Sequence, residues 1–184
     1  MNIWNRNWDE IELGSIAAIT TGCLYPQYEW PMDDLHPIVA IDRLQAGTIA
    51  LTDTRYIRLS EREHFKYQYK KGDLVFIHRS SPAQMGRSTL FDLNQDVLHT
   101  KYLRIRSVSG YNSRVLLHVL ETYRMQGLFL RMARVKPNLA CILLDDLKKI
   151  RVPFPSEEEQ MKMITQLGSG LADTRLESVR YSRA

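Results

Sequence analysis

The residues in this chain best suited to chemistry are cations, and what they suit is contact with an anionic polymer. Lys101, Arg104, Arg106, Arg114, Arg124, Arg131, Arg134 and Lys136 stand in one stretch that holds a single acid, Glu121. Cations set along a stretch in this way can neutralise phosphates and release the counterions condensed on a nucleic acid. Within the stretch, Lys101-Tyr102-Leu103-Arg104-Ile105-Arg106 has the period of a strand. That period puts Tyr102, Arg104 and Arg106 on one face and Leu103 and Ile105 on the other. An aromatic ring beside two guanidinium groups fits contact with a polyanion. The same pattern also fits the solvated face of a half-buried strand.

Two further groups join them. Arg79, Ser81, Gln84 and Arg87 lie in a polar segment that follows an apolar run. Arg134, Lys136 and Asn138 lie after a long helical pattern. The candidate nucleic-acid-contacting set is therefore Arg79, Ser81, Gln84, Arg87, Lys101, Tyr102, Arg104, Arg106, Arg134, Lys136 and Asn138. The cations would meet phosphates, and a few polar or aromatic side chains would read base edges. A solvent-facing role fits each of them as well. Tyr28 and Trp30 fit the same contact, and core burial suits them at least as well.

Other chemistry is missing. There is no G-x-x-x-x-G-K-[ST] loop to cradle phosphates and no G-x-G-x-x-G after a strand. No G-x-S-x-G elbow occurs. His36, His64, His78, His99 and His118 are scattered, and Cys23 and Cys141 have no neighbouring Cys or His, so no zinc spacing exists. The strand-like segments carry few acids, and Asp42 and Asp73 read as turn formers rather than metal ligands. The expectation is a binder, not an enzyme, with no metal and no cofactor of its own.

The elements that must position these residues follow from periodicity. Trp8 to Gly22 reads as a short edge element ending in a turn, and 23 to 36 as an aromatic surface loop. Strands are predicted at 37–41, 47–51 and 55–59, with Thr52-Asp53-Thr54 as a turn. Residues 73–77 are the clearest buried strand, launched by Lys71-Gly72-Asp73; Leu90-Phe91 and Val97-Leu98 are weaker. Asn112 or Ser113 caps a helix to about Met132, which Gly127 bends or adapts to close contact. Residues 133–141 read as a loop, 144–150 as a short helix or turn, and 151–155 as extended. Ser156 and Glu159 then form a capping box. Met163, Ile164, Leu167, Leu171 and Val179 line the helix that follows as a seam for a partner or a second copy. Gly168 and Gly170 weaken that helix by about 1 kcal/mol each relative to Ala.

The chain has 184 residues, 44% hydrophobic and 25% charged, with a net charge of +4, which suits one soluble domain plus a helical appendage. The expected division is 1–155 for the domain and 156–184 for the helix. Two cysteines cannot make a disulfide framework, no 18-residue apolar run occurs, and the first residues lack a signal peptide's apolar core. A cytoplasmic location is expected. The predicted fold class is α+β (mixed α/β): a twisted, mostly antiparallel sheet with a long packed helix, followed by a C-terminal spacer helix.

Several segments carry a resemblance in their order. They are Leu13-Gly14-Ser15-Ile16 and Ile19-Thr20-Thr21-Gly22, then Lys71-Gly72-Asp73 before a buried strand, then the polar segment 80–87. Pro137-Asn138-Leu139, Leu144 to Ile150, Val152-Pro153-Phe154-Pro155 and Glu158-Glu159-Gln160 close the series. This order resembles the specificity subunit of type I restriction–modification systems over essentially the whole chain. The resemblance implies a target-recognition domain for double-stranded DNA and a helix that docks a methyltransferase subunit. A restriction or translocase subunit could join them, and S-adenosylmethionine would sit on the methyltransferase. Such subunits carry two recognition domains and a long regular spacer, whereas this chain carries one domain and Gly168-Ser169-Gly170 in its spacer. That departure fits a half-subunit pairing with a second copy, a truncated relative, or a module of a related defence system. Rival readings are an RNA or single-strand binder that stacks bases on Tyr102, a non-catalytic interaction module, and a small nuclease.

Overall fold

Apolar residues at alternate positions make the strands, and short polar caps and glycine turns separate them. The structure, a computed structural model, describes residues 8–22, 25–45, 48–94, 97–98, 101–108 and 110–167, with the backbone alone over 39–54. Leu171, Val179, Gly168, Gly170 and Cys23 lie outside the described residues.

The chain opens with β1 (Glu10–Glu12), one turn of helix α1 (Leu13–Ile16) and β2 (Ala17–Thr20). A two-residue strand β3 (Gln27–Tyr28) precedes a long hairpin, β4 (Leu35–Gln45) and β5 (Thr48–Arg58). Helix α2 (Glu61–Tyr67) starts on a capping box, with Ser60 and Glu63 each satisfying the other's backbone N–H. Then come β6 (Gln68–Tyr69), β7 (Leu74–Phe76), β8 (Arg79–Ser80), a single 3-10 turn at Pro82–Gln84, β9 (Ser88–Leu90), β10 (Val97–Leu98) and β11 (Leu103–Ser107). Helix α3 (Ser113–Met125) is capped by Asn112, whose side chain accepts from the Arg114 N–H. Helix α4 (Leu128–Met132), the strands β12 (Arg134–Lys136) and β13 (Leu139–Cys141), helix α5 (Leu144–Lys148) and β14 (Arg151–Pro153) follow. Another helix, α6, begins at 157 and runs to the last described residue, 167.

The mixed α+β class holds, and the mostly antiparallel strands divide among four sheets. Their orders are β1-β14, β3-β5-β4-β10-β6, β2-β11-β7-β9 and β12-β13-β8. Among the described residues, only the β10–β4 pair is parallel. The sheet β2-β11-β7-β9 is covered on both faces. Leu74, Phe76, Leu103 and Ile105 face the main core, where α3 buries Val115, Leu116, Val119 and Leu120. Full burial of each such side chain stabilises by about 1.5–3 kcal/mol. Val75 and Tyr102 face a second cluster with Tyr69, Ile77, Phe91 and Val97. A third cluster, Ile38, Ile57, Leu59 and Leu98, sits under the long hairpin.

Four expectations change. The predicted turn at 52–54 is continuous strand; register shifts between Val39 and Ala40 and between Ile41 and Arg43 absorb the irregularity as bulges. Gly127, at φ 75, ends α3 and starts α4, so the predicted single helix is two. The predicted loop 133–141 is the β12–β13 hairpin. Helix α2 was not foreseen, although Ser60-Glu61-Arg62-Glu63 spells its capping box.

Candidate nucleic-acid interface

The register of the four-stranded sheet fixes where the candidate residues lie. Leu103 pairs with Phe76, Phe76 with Ser88, and Arg104 with Thr20. Lys101, Arg79 and Arg87 therefore all lie just beyond one end of that sheet. The Ile77 N–H donates to the Arg87 carbonyl at 2.9 Å, closing this end.

From this end the chain enters the three-stranded sheet, which brings the second group in. Arg134 pairs with Cys141 and Cys141 with Arg79, so the three form one row across β12, β13 and β8. Cross-strand partners share a face, and residues two apart along a strand do too. Arg79, Arg134 and Lys136 thus lie on one face, and all three are exposed. Adjacent strands are about 4.8 Å apart, so Arg79 and Arg134 are about 10 Å apart at the backbone, within the width of a DNA major groove. Pro137 and Asn138 make the hairpin turn. Proline fixes the first φ and Asn138, at φ 61, supplies the left-handed second residue that a type II turn requires.

The segment after Arg79 is held firmly. The Gln84 N–H donates to the Ser81 carbonyl, and Gly86 donates to Ile77. Met85 is buried, and the Ser88 N–H donates to Glu121 of α3 at 2.8 Å. Gly86 has φ +74 and lies against Phe129, so a Cβ there would fall 2.2 Å from the Phe129 ring. Phe129 in turn meets Phe76 edge-on at 5.0 Å. Ser81 remains exposed and Gln84 and Arg87 half-buried. The exposed Lys101 holds its Nζ 5.3 Å from the centre of the Tyr102 ring.

Tyr102, Arg104 and Arg106 require a correction. They do share a face, as strand period demands, but β6 covers it. Tyr102 and Arg104 are buried. Arg104 donates to the Gln68 carbonyl at 2.6 Å and to Thr20 Oγ1 at 3.2 Å. Arg106 donates twice to Asp73 and also to Gln68. Burial lowers the Arg104 pKa, and the neighbouring Arg106 adds to the effect. Burial likewise raises that of Tyr69. These guanidinium groups tie two sheets together, so they are neither a solvated face nor an open DNA-contacting one. Asp73, expected to be only a turn former, both accepts from the Lys70 N–H in the turn and receives Arg106.

The partner seam is also partly spent inside. Met163 is buried in the main core, and Ile164 packs against it. Leu167 is half-buried. The cause is the start of α6. Ser156 and Glu159 form the predicted capping box, and Glu159 also accepts from the Trp8 indole at 2.8 Å. Gln160, read in the sequence only as part of Glu158-Glu159-Gln160, is buried and bonds Asn112, Gly110 and Pro155. Tyr28 and Trp30, for which burial was at least as suitable, are exposed. Among the described residues, no group of three His, Cys, Asp or Glu could hold a metal ion, and no helix is long and apolar enough to cross a membrane.

The arrangement can be set beside known proteins. No protein-family model matches the chain. Superposed on the HsdS subunit of Thermoanaerobacter tengcongensis, the chain aligns over 98% of its length with a TM-score of 0.65 and 15% identity. It has the fold of a type I specificity subunit. The S subunit of M. genitalium gives a TM-score of 0.56 at 15% identity over 95% of the chain. A chain from a structure of the type I R-M system's complex assembly and conformational transition gives 0.58 at 17% over 95%. In sequence, a Methanocaldococcus jannaschii protein described as the type I restriction enzyme MjaX specificity subunit is 24% identical over 163 residues, 86% of the chain. The resemblance in segment order is thus matched in sequence and fold. The chain spans about two-fifths of these relatives: 38% of the M. jannaschii protein and 41%, 42% and 41% of the three solved chains.

Proposed function

We propose that this chain is a sequence-specific binder of double-stranded DNA that directs a methyltransferase subunit to its target in a restriction–modification system. The observation that carries the reading is the shared, exposed face of Arg79, Arg134 and Lys136 beside the rigid segment 81–87. Three cations on a firm sheet can engage phosphates with no backbone left to order, and the neighbouring Ser81, Gln84 and Asn138 are of the type that reads base edges. Lys101 and Arg87 border the same end of the four-stranded sheet. Tyr102, Arg104 and Arg106 hold the platform from inside.

The protein acts in the cytoplasm as a non-catalytic subunit without a cofactor of its own, S-adenosylmethionine being held by the methyltransferase. A restriction or translocase subunit joins the same assembly. One recognition domain of this kind reads one half-site, so a bipartite target takes a second such domain beside it. The described part of α6, with Leu167 at its end, leads toward that contact.

The test is selection from a random duplex pool at fixed salt with RNA as competitor, followed by sequencing of methylated sites after co-expression with a type I methyltransferase subunit. A defined duplex motif that matches the methylated sites is expected. Tighter binding to RNA, or equal binding to every duplex, would overturn the reading.

A further inference from the structure

Trp30 is an exposed tryptophan, at 77% of full accessibility, and it stands among other exposed apolar side chains: Tyr25, Tyr28 and Met32. Single exposed apolar residues need no explanation, but a run of them in one segment marks a contact surface. Tryptophan and tyrosine are also the residues that contribute most to protein interfaces.

The segment is built, not loose. Pro26 and Pro31 fix two φ angles. Gln27 and Tyr28 pair with Ile57 and Tyr56 of β5. The Tyr25 hydroxyl donates to Glu63 at 2.6 Å, and its ring meets Tyr67 edge-on with centres 6.5 Å apart. That hydroxyl and Ser60 hold the Glu63 pKa down to about 2, so the anchor persists at neutral pH. At the other end the Leu35 N–H donates to the Met32 carbonyl, and Arg58 reaches Asp34 at 2.6 Å. A surface fixed in advance loses little entropy on binding.

Its charge selects the partner. Residues 25–34 hold Glu29, Asp33 and Asp34 and no Lys, Arg or His. Arg58 offsets one of these acids, and the rest repel phosphate. Arginine or lysine on a protein would instead meet carboxylates and the faces of Trp30 and Tyr28. We propose that segment 25–34, which pairs into a different sheet from Arg79, Arg134 and Lys136, docks a protein partner that presents arginine or lysine beside apolar groups. This inference goes beyond the DNA reading and stands or falls without it.

The experiment follows the Trp30 indole N–H in NMR spectra of the full chain, which has three tryptophans; Trp30→Phe assigns the signal. The probes are a synthetic peptide of alternating arginine and alanine, its glutamate counterpart, and a duplex of random sequence. The arginine peptide is expected to move the Trp30 signal. Glu29→Lys with Asp33→Lys should weaken that binding at least tenfold, with an unchanged melting temperature showing that the fold survives. The glutamate peptide and the duplex should leave the signal in place. The inference is overturned if the arginine peptide leaves Trp30 unmoved or binds the charge-reversed variant equally well. It is also overturned if the duplex moves Trp30, or if the signal shifts with protein concentration alone, which would mean self-association.

Discussion

Arg106 and Asp73 form a two-pronged ion pair inside the domain, with Nε–Oδ1 and Nη2–Oδ2 both 2.7 Å. The carboxylate is almost fully buried, and the arginine keeps 27% of its side chain in solvent. Arg104 lies on the same face, one pleat along, and ties Gln68 to Thr20. A cation held in this way, with its charge turned onto buried acceptors, is poorly placed to meet a phosphate. The basic stretch therefore divides into cations that hold the platform and cations that stand on it.

That division sets opposite outcomes for two sets of variants. Arg106→Ala leaves the Asp73 carboxylate buried without its charge partner. Breaking a fully buried pair costs about 3–5 kcal/mol, and the partial exposure of Arg106 reduces this to about 2 kcal/mol. Arg104→Ala should cost a similar amount through the groups left at Gln68 and Thr20. In both, the fraction still folded should bind duplex DNA within about twofold of the parent. Urea unfolding and equilibrium binding on the same samples check it. Unchanged stability with a tenfold loss of affinity would return these arginines to the DNA face.

Arg79→Ala, Arg134→Ala and Lys136→Ala should do the reverse. Exposed substitutions of this kind change stability by about 0.5 kcal/mol or less. Each lost phosphate contact should lower the slope of log affinity against log salt by about 1. Titration of binding from low to moderate salt reads this directly. Three variants with the parent's slope would show that the shared face does not meet DNA.

Much of this platform was legible in the sequence, and the reason differs by element. The Asn112 cap, the Lys71-Gly72 turn and the Ser156–Glu159 box are local hydrogen-bond devices, so three or four residues specify them. Period two correctly put Tyr102, Arg104 and Arg106 on one face. It could not say that β6 covers that face, because Gln68 is far away in sequence and the pairing is tertiary. The row Arg134–Cys141–Arg79 was hidden for the same reason. The β12–β13 hairpin did have a local signal in Pro137-Asn138, but three-residue strands carry too little periodicity to announce themselves.

The segment between Arg79 and Ser88 depends on Gly86. A side chain there would be strained at φ +74 and would collide with Phe129. Gly86→Ala should destabilise by about 2–4 kcal/mol, from the backbone and the overpacking together. Adding Phe129→Ala should remove the collision, so the double variant should be more stable than the two single costs added together predict. Thermal melts of the four proteins give the coupling. Strict additivity would mean that the ring and the glycine do not meet.

His78 links the platform to pH. Burial lowers its pKa from 6.5, and Arg79 adds to this; its Nδ1 is buried without a hydrogen-bond partner. Below pH 6.5 the unfolded chain takes up a proton that the folded His78 resists. The contribution to stability is therefore complete above 6.5 and is lost as pH falls toward the folded value. His118, also lowered by burial, acts in the same sense. His78→Gln should lose less unfolding free energy than the parent between pH 7.5 and 5.5. Parallel pH profiles for the two proteins would remove His78 from the account.

Gln160 fixes the direction in which α6 leaves the domain. Its Oε1 accepts from the Asn112 N–H at 2.7 Å, and its Nε2 donates to the carbonyls of Gly110 and Pro155. Those three backbone groups belong to the start of α3, the turn before it and the strand exit, so one buried amide joins the helix to the body. Gln160→Leu fills the space but leaves the groups unpaired, at a cost of about 2–4 kcal/mol. Trp8→Phe removes the indole bond to Glu159, whose capping box remains, together with part of the packing of the ring on the core, and should cost about 1–2 kcal/mol. Amide hydrogen exchange should then separate local from global effects. In Gln160→Leu the amides of 157–167 should exchange faster relative to those of α3, because the helix loses its mooring before the core opens. Equal acceleration of both would show that Gln160 stabilises the whole domain rather than aiming its helix.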